Sequence, residues 1–279
     1  MKVSRFSRTA VLLLFTLLPA LLWAQTNCNE GAGPLDPARP AGTSEEAIIQ
    51  KFSAGESELK RQFSAYGFQQ EIKVQTLEGP RVTGEFRRDS NIHFNGGQRV
   101  EDVTFAPQSS LLGVDLTKED FEDIARSPFI LTPENLPQYT VRYAGQQKVD
   151  QLQTYVFTVA PKKMVKGKRY FQGRVWVENQ GLRIVKSCGK SVPDAIPKPA
   201  HRTLLGKKKP AEPANISPTI VTYRELIDGK YWFPTYKRAD EVLPFQDGYA
   251  VSDIHIREIV KMKDYQRSGP QQTQVLTAK

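Results

Sequence analysis

Three histidines and two cysteines are the residues of this chain whose side chains most readily do chemistry near neutral pH. His93, His201 and His255 stand far apart in sequence. Neither H-E-x-x-H nor a carboxylate–histidine spacing for zinc occurs. His93 and His255 fall in strand-like stretches and read as ordinary sheet residues, although Asp253 shares a strand parity with His255 and leaves a local Asp–His pair geometrically open. No G-x-S-x-G elbow supplies a nucleophile, and Cys188 has no evident base partner. The glycines at Gly31, Gly33, Gly96 and Gly97 precede no strand–turn–helix unit that could cradle phosphate, so they are turn material. The sequence asks for no cofactor, no metal and no catalytic residue, and it reads as a non-enzyme.

The N-terminus sets the compartment. Lys2, Arg5 and Arg8 precede an apolar run from Ala10 to Trp23, the pattern of a secretory signal peptide. That run is about 14 residues, short of the roughly 20 needed to span a bilayer. Leu22 and Ala24 suit the positions before a cleavage site, which places the cut between Ala24 and Gln25; an uncleaved anchor is the alternative. A lipid anchor on Cys28 is disfavoured, because QTNC lacks the small and aliphatic residues expected before a lipidated cysteine. Losing residues 1–24 removes the three charges of Lys2, Arg5 and Arg8, so the formal net charge of +9 falls to about +6. That excess suits an anionic membrane surface, an envelope protein or plain solubility. Nucleic acid is not an expected partner outside the cytoplasm. Cys28 and Cys188 both survive cleavage and can pair in an oxidising, periplasmic compartment; two separate free thiols are the alternative.

The elements that must carry these residues come next. Residues 25–43 are dense in Gly, Pro and Ala and read as a flexible leader. A helix follows, capped by Thr43 or Ser44, with Ile48, Phe52, Leu59 and Phe63 as its apolar face and Gly55 as a weak point where it can break. The period then shifts towards two. Gly79-Pro80 and Asn95-Gly96-Gly97 punctuate a meander of strands. Asp115 to Phe129 reads as a short helical insertion capped by Thr117, and Pro128, Pro133 and Pro137 keep its sequel irregular. Strands resume in QYTVRYAGQ and QLQTYVFTVAPKK. In the hairpin that follows, Val175 and Val177 face away from Trp176; Gly181 is the expected left-handed turn residue, and Leu182, Ile184, Lys186 and Cys188 share one face.

Residues 192–218 break the pattern with prolines and lysines and read as a long excursion whose GKKKP run is solvated or touches an anion. A hairpin at Asp228-Gly229 follows. Pro234 there suits an edge or a bulge better than a central strand. Residues 266–279 read as a disordered tail. The consistent architecture is a single domain over residues 44–265, mainly β with α: an antiparallel sheet that must curl or be covered to bury its apolar face.

Three stretches carry a family resemblance: YVFTVAPKK at Tyr155–Lys163, GRVWVENQGLRIVKS at Gly173–Ser187 and DGKYWFPTYKRAD at Asp228–Asp240. In order and character they resemble the periplasmic LolA-like, outer-membrane lipoprotein-sorting superfamily. The resemblance spans Ser44 to Tyr265. It implies a strongly curved, incompletely closed antiparallel barrel (a half-barrel) with an N-terminal helix and a short helical insertion. It also implies a concave cavity for a lipid or the acyl chains of a lipoprotein. On that reading Phe86, Phe94, Tyr143, Tyr155, Phe157, Trp176 and Trp232 are candidate liners, and Phe121, Phe129 and Ile130 a candidate lid. The rival expectation is a structural or regulatory interaction module of the envelope that uses the same sheet without a bound lipid.

Overall fold

A computed structural model describes residues 25–114, 116, 124, 131–194, 201–202, 208–209, 217–247 and 250–268. The signal-like segment 1–24, nearly all of the insertion, most of the 192–218 excursion and most of the tail lie outside these residues, as do Phe121, Phe129 and Ile130. Helix α1 (Glu45–Phe63) is followed by β1 (Tyr66–Glu78), β2 (Arg81–Asn95) and β3 (Gln98–Phe105). A 3-10 turn at Leu136–Gln138 leads into β4 (Tyr139–Val149), β5 (Leu152–Pro161), β6 (Tyr170–Glu178) and β7 (Ile184–Val192). Two short strands, β8 (His201–Arg202) and β9 (Lys208–Lys209), pair with each other inside the excursion. The chain ends in β10 (Ile220–Ile227), β11 (Tyr231–Asp247) and β12 (Ala250–Arg267).

Ten strands make one antiparallel sheet in the order β3-β2-β1-β12-β11-β10-β7-β6-β5-β4. Two meanders, β1–β3 and β4–β7, form its wings, and the last three strands close the gap between them. The sheet is open and curled, with β3 and β4 as its edges. This is the mainly-β, incompletely closed architecture expected from the sequence.

Helix α1 begins where its sequence says it should. Ser44 Oγ accepts a hydrogen bond from Ala47 N at 3.1 Å, and Glu45 and Glu46 occupy the first turn, where carboxylates favour the exposed N–H groups. The helix does not break at Gly55. A Cβ there would come within 2.6 Å of Arg183 Nη1, so glycine serves close approach of the Arg183 side chain rather than a kink.

Strand alternation separates two faces. On the helix-bearing face, Ile48 and Phe52 pack with Tyr155, Phe157, Val159, Val175 and Val177. Further along, Leu59 and Phe63 pack with Ile72, Val74, Phe233 and Val260. The outer face carries Val156, Trp176, Val185, Cys188 and Val221. Ile184 clusters beneath the helix although Cys188 lies on the outer face, which departs from the shared face expected of them. The cause is a register shift between Trp176 and Val177, which leaves Val185 as an extra residue opposite that step and inverts the parity before Lys186. The neighbouring turn also differs from expectation. Leu182, not Gly181, holds the left-handed conformation at φ 55°. The Glu178 carboxylate accepts from the backbone N–H of Gln180, Gly181 and Arg183 at 2.8–2.9 Å and fixes the turn. Pro234 sits in an interior strand, and a register shift between Tyr223 and Arg224 on the partner strand creates the bulge that accommodates it.

The leader is not loose. Cys28 and Cys188 form a disulfide with a Cα–Cα distance of 5.6 Å, seating the chain on the outer face. Lys186 Nζ and Tyr223 Oη both donate to Glu30 O at 2.9 Å, and Arg238 Nη1 donates to both Glu30 carboxylate oxygens at 3.0 Å. The chain then meets edge strand β4, where Gly33 N donates to Lys148 O and Asp36 exchanges backbone hydrogen bonds with Gln146 at 2.8 and 2.6 Å. Gly145 makes room, since a Cβ on it would lie 2.4 Å from Asp36 O. Residues 25–43 thus run from the outer face, along half of an exposed edge, into α1. The Gly and Pro content that suggested disorder instead permits this close wrapping.

Candidate functional site

The helix-bearing face opens beside the first half of α1. A groove of about 600 Å³ runs between the first half of α1 and the free half of β4, walled by Ile49 and Ser53 on one side and by Leu136, Pro137, Tyr139 and Val141 on the other. Its existence follows from local sequence. Leu136-Pro137 forces the 3-10 turn with proline in its first positions, so the chain entering β4 cannot lie flat against the helix. Asn135 N and Leu136 N both bond back to Thr132 O, at 3.0 and 2.9 Å, fixing the wall. Lys162 N donates to Gln138 O at 2.8 Å, which places the Lys162 side chain at the groove.

The lining is mostly apolar, and the Ser53 hydroxyl on its helix wall is buried without a hydrogen-bond partner among the described residues. Tyr139 Oη accepts from Phe171 N at 3.4 Å, and burial pushes its phenol above the usual range. Volumes of several hundred cubic ångströms with a mostly apolar wall suit a small molecule or one extended hydrocarbon chain. Lys162 borders the groove as its one cationic residue among the described lining residues.

None of the seven expected liners borders this groove. Phe86 and Phe94 pack into the aromatic cluster around Phe63 at the other end of α1. Tyr143, Tyr155 and Phe157 lie under the helix; Phe157 meets Phe52 with ring centroids 5.6 Å apart, and Tyr143 with 5.5 Å. Trp176 belongs to the outer cluster, on the far side of the sheet, and Trp232 packs against that cluster while also bordering a smaller cleft near Gly55 and Leu59 of α1. Trp176 is fully buried, its Nε1 donating to Gln147 Oε1 at 2.7 Å. Strand parity puts Trp176 opposite Tyr155 and Phe157, so the seven candidate liners do not share one face. Of the groove's lining, Tyr139, Thr140 and Val141 lie in QYTVRYAGQ, which the sequence marks as a strand after a proline-rich approach but not as an uncovered edge.

The titratable residues also find their places. His255 pairs with Asp240, Nε2 to Oδ1 at 2.5 Å, across the β11–β12 ladder rather than with Asp253 along its own strand. Asp240 also accepts from Arg257 Nε at 2.8 Å and Arg238 Nη2 at 3.2 Å. Burial raises its carboxyl, but His255, Arg257 and Arg238 outweigh it and hold the group below its ordinary range. This outer-face cluster anchors Thr26, whose Oγ1 accepts from Asp240 N at 2.8 Å. His93 Nδ1 faces Asp102 at 3.4 Å on the β2–β3 hairpin. Lys186 is buried between Trp176 and Tyr223, its Nζ 4.8 and 4.9 Å from the two ring centroids. Burial lowers its amine to about 8 against the opposing pull of Asp150 and Glu30. Among the described residues no group of three His, Cys, Asp or Glu is arranged to hold a metal ion, and no helix is long and apolar enough to cross a membrane.

Among the described residues the molecule is an open curled sheet holding helix α1, with an apolar groove at the helix margin. No protein-family model and no curated protein matches the chain. Among solved structures, a DUF1329 family protein from Desulfovibrio piger overlaps 83% of this chain and 93% of its own, at 14% identity and a TM-score of 0.36. A LolA superfamily protein from Nitrosomonas europaea overlaps 82% and 96% at 12% identity, TM-score 0.35. An outer membrane lipoprotein-sorting protein domain from Vibrio parahaemolyticus overlaps 74% and 87% at 11% identity, TM-score 0.33. These overlaps are loose.

Proposed function

We propose that this chain is a non-catalytic protein of the bacterial cell envelope that binds a lipid, or the acyl chains of a lipoprotein, in the groove between α1 and β4. The observation that carries the reading is the groove itself: about 600 Å³, mostly apolar, uncovered among the described residues and bordered by Lys162. An acyl chain gains about 0.8 kcal/mol per buried methylene, so ten of them supply roughly 8 kcal/mol before the cost of association. The reading includes export by the 1–24 segment, a periplasmic location with peripheral contact to the outer membrane, and a role in lipoprotein sorting. The 115–129 insertion is the proposed cover. Leu131, which follows it, is buried with Ile48 and Phe52 near the groove, whereas Val114 and Ile124 pack at the Phe63 end.

Native mass spectrometry of the gently purified protein tests the proposal. Co-purified lipid, or saturable uptake of a fluorescent fatty acid that is lost in a Val141→Trp variant, is the expected result. No lipid and no uptake would overturn it in favour of the second reading, an envelope interaction scaffold. That reading has its own observation: the half of the interior around Phe63 is filled by its own aromatic side chains.

A further inference from the structure

A second cleft flanks α1 on the side away from the groove. It encloses about 340 Å³ between the helix at Gly55, Glu56 and Glu58, the chain at Arg183, and the β10–β11 turn at Lys230. At about 100° per residue, Ile49 and Ser53 lie on one flank of the helix and Gly55 and Glu58 on the other. The two cavities share no lining residue.

The cations lining this cleft outnumber its carboxylates, three (Arg183, Arg224 and Lys230) to two (Glu56 and Glu58), and Lys230 acts on Glu58 only at longer range. Glu56 is committed to Arg224, whose Nη1 and Nη2 donate to its two oxygens at 2.6 and 3.0 Å while Nη1 also reaches Ile184 O at 3.3 Å. Both partners are buried, and a bidentate pair of this kind satisfies its own charge. Glu58 is engaged by Arg61 and by Gln62 Nε2 along the helix. Arg183 and Lys230 remain as cations bordering the cleft, with no carboxylate ion pair among the described residues. Lys230 Nζ stands 5.2 Å from the Tyr231 ring centroid.

Both cations ride on turns that are pinned. The Glu178 carboxylate accepts from Arg183 N at 2.9 Å, and Tyr66 Oη donates to Asp228 Oδ2 at 2.7 Å beside Lys230. Lys230 N itself donates to Ile227 O at 3.0 Å. Two cations from separate hairpins, one a planar fork and one a point charge, border one volume of about 340 Å³, sufficient for a phosphate group. An Arg fork and a Lys ammonium together match a dianion with several acceptor oxygens.

We propose that this cleft binds the phosphate group of a phosphate ester, with Arg183 and Lys230 as its cationic contacts and Tyr231 and Trp232 as its aromatic wall. Trp232 makes the site observable, since Trp176 lies buried on the outer face and contributes a constant background. The proposal stands whether or not the acyl groove is occupied.

Tryptophan fluorescence and calorimetry on the purified protein, at constant ionic strength, give the test. Inorganic phosphate and short-chain dihexanoyl phosphatidic acid below its micelle concentration are the probes. Saturable binding is expected for both, weakened by roughly tenfold in Arg183→Gln and again in Lys230→Gln, and retained in Lys230→Arg. Tighter binding of the phosphatidic acid assigns the site to a lipid headgroup, while equal binding assigns it to a free phosphate or soluble ester. Absence of saturable binding by either probe, or binding unchanged in both glutamine variants, overturns the proposal. Circular dichroism and fatty-acid uptake of the same variants separate a lost cleft from a lost fold and from a failure of the acyl reading.

Discussion

The two ends of α1 sit on the same face of one sheet, yet one is packed solid and the other is left open. At the C-terminal end Phe63 meets Phe68, Phe94 and Phe233 with ring centroids 5.4–5.8 Å apart, and Tyr66 meets Phe233 at 4.9 Å. At the N-terminal end Ile48 and Phe52 reach the sheet, but the flank at Ile49 and Ser53 faces a groove. Side-chain size and backbone explain the difference together. Long strands β1, β2, β11 and β12 bring four rows of large residues to Phe63, whereas β4 is an edge strand entered through two prolines.

Truncation distinguishes the two ends most strongly. Phe233→Ala should cost about 3–5 kcal/mol, because its ring is fully buried among four aromatic neighbours and the cavity cannot collapse. Leu136→Ala, at the half-exposed groove wall, should cost less than about 1.5 kcal/mol. Urea unfolding monitored by circular dichroism measures both. Equal costs would remove the distinction between a packed and an open end.

The leader adds a second asymmetry, since it runs from the outer-face disulfide around the β4 edge into the open end of α1. Replacing Cys28 and Cys188 by serine should cost about 2–4 kcal/mol. Hydrogen exchange should speed up at Ile48–Ser53 and stay unchanged in β1 and β12. Uniform acceleration would mean that the disulfide restrains the molecule as a whole rather than one end of it.

Much of the fold was legible because it rests on local rules. Ser44, the Asn95-Gly96-Gly97 turn and the alternation in Tyr155–Val159 each announce their element, and the structure keeps them. The site was less legible for a physical reason. Aromatic content marks what is worth burying, so Phe86, Phe94, Tyr155 and Phe157 were drawn into the core, while the groove is defined by where packing stops. Which face Trp176 occupies was readable from parity; the bulge that separates Ile184 from Cys188 was not, because one extra residue in a strand has no compositional mark. The Glu56–Arg224 pair was equally hidden, since its partners lie 168 residues apart.

Filling the open end should have a smaller but more specific effect than emptying the packed one. Val141→Trp places a large ring on the groove wall and should weaken fatty-acid uptake at least tenfold, about 1.4 kcal/mol, with thermal stability close to the parent. An added ring of the same size at Thr158, which faces away from the helix-side row on β5, should leave uptake unchanged. Loss of uptake in both variants would move the binding site out of the groove.

The smallest expected effect separates the leader clasp from the aromatic end by pH. Lys186, held under the leader with a folded pKa of about 8 against 10.5 when exposed, has lost its proton at pH 9 in the folded chain but keeps it when unfolded. The unfolded state then binds more protons, so stability rises with pH from about 8 towards 10. Between pH 7.5 and pH 9 the gain is about 1 kcal/mol. Above pH 10 the sign reverses. Burial pushes Tyr66 and Tyr223 up to about 12, so the unfolded chain loses these protons first and folding weakens. Urea midpoints measured from pH 7.5 to 11 should trace a rise and then a fall. Lys186→Met should flatten the rise alone, because that residue sits at the clasp. Tyr66→Phe should reduce the fall alone, because its phenol sits at the packed end beside Asp228. A rise that survives Lys186→Met would show that the leader is not held through a cation buried between Trp176 and Tyr223.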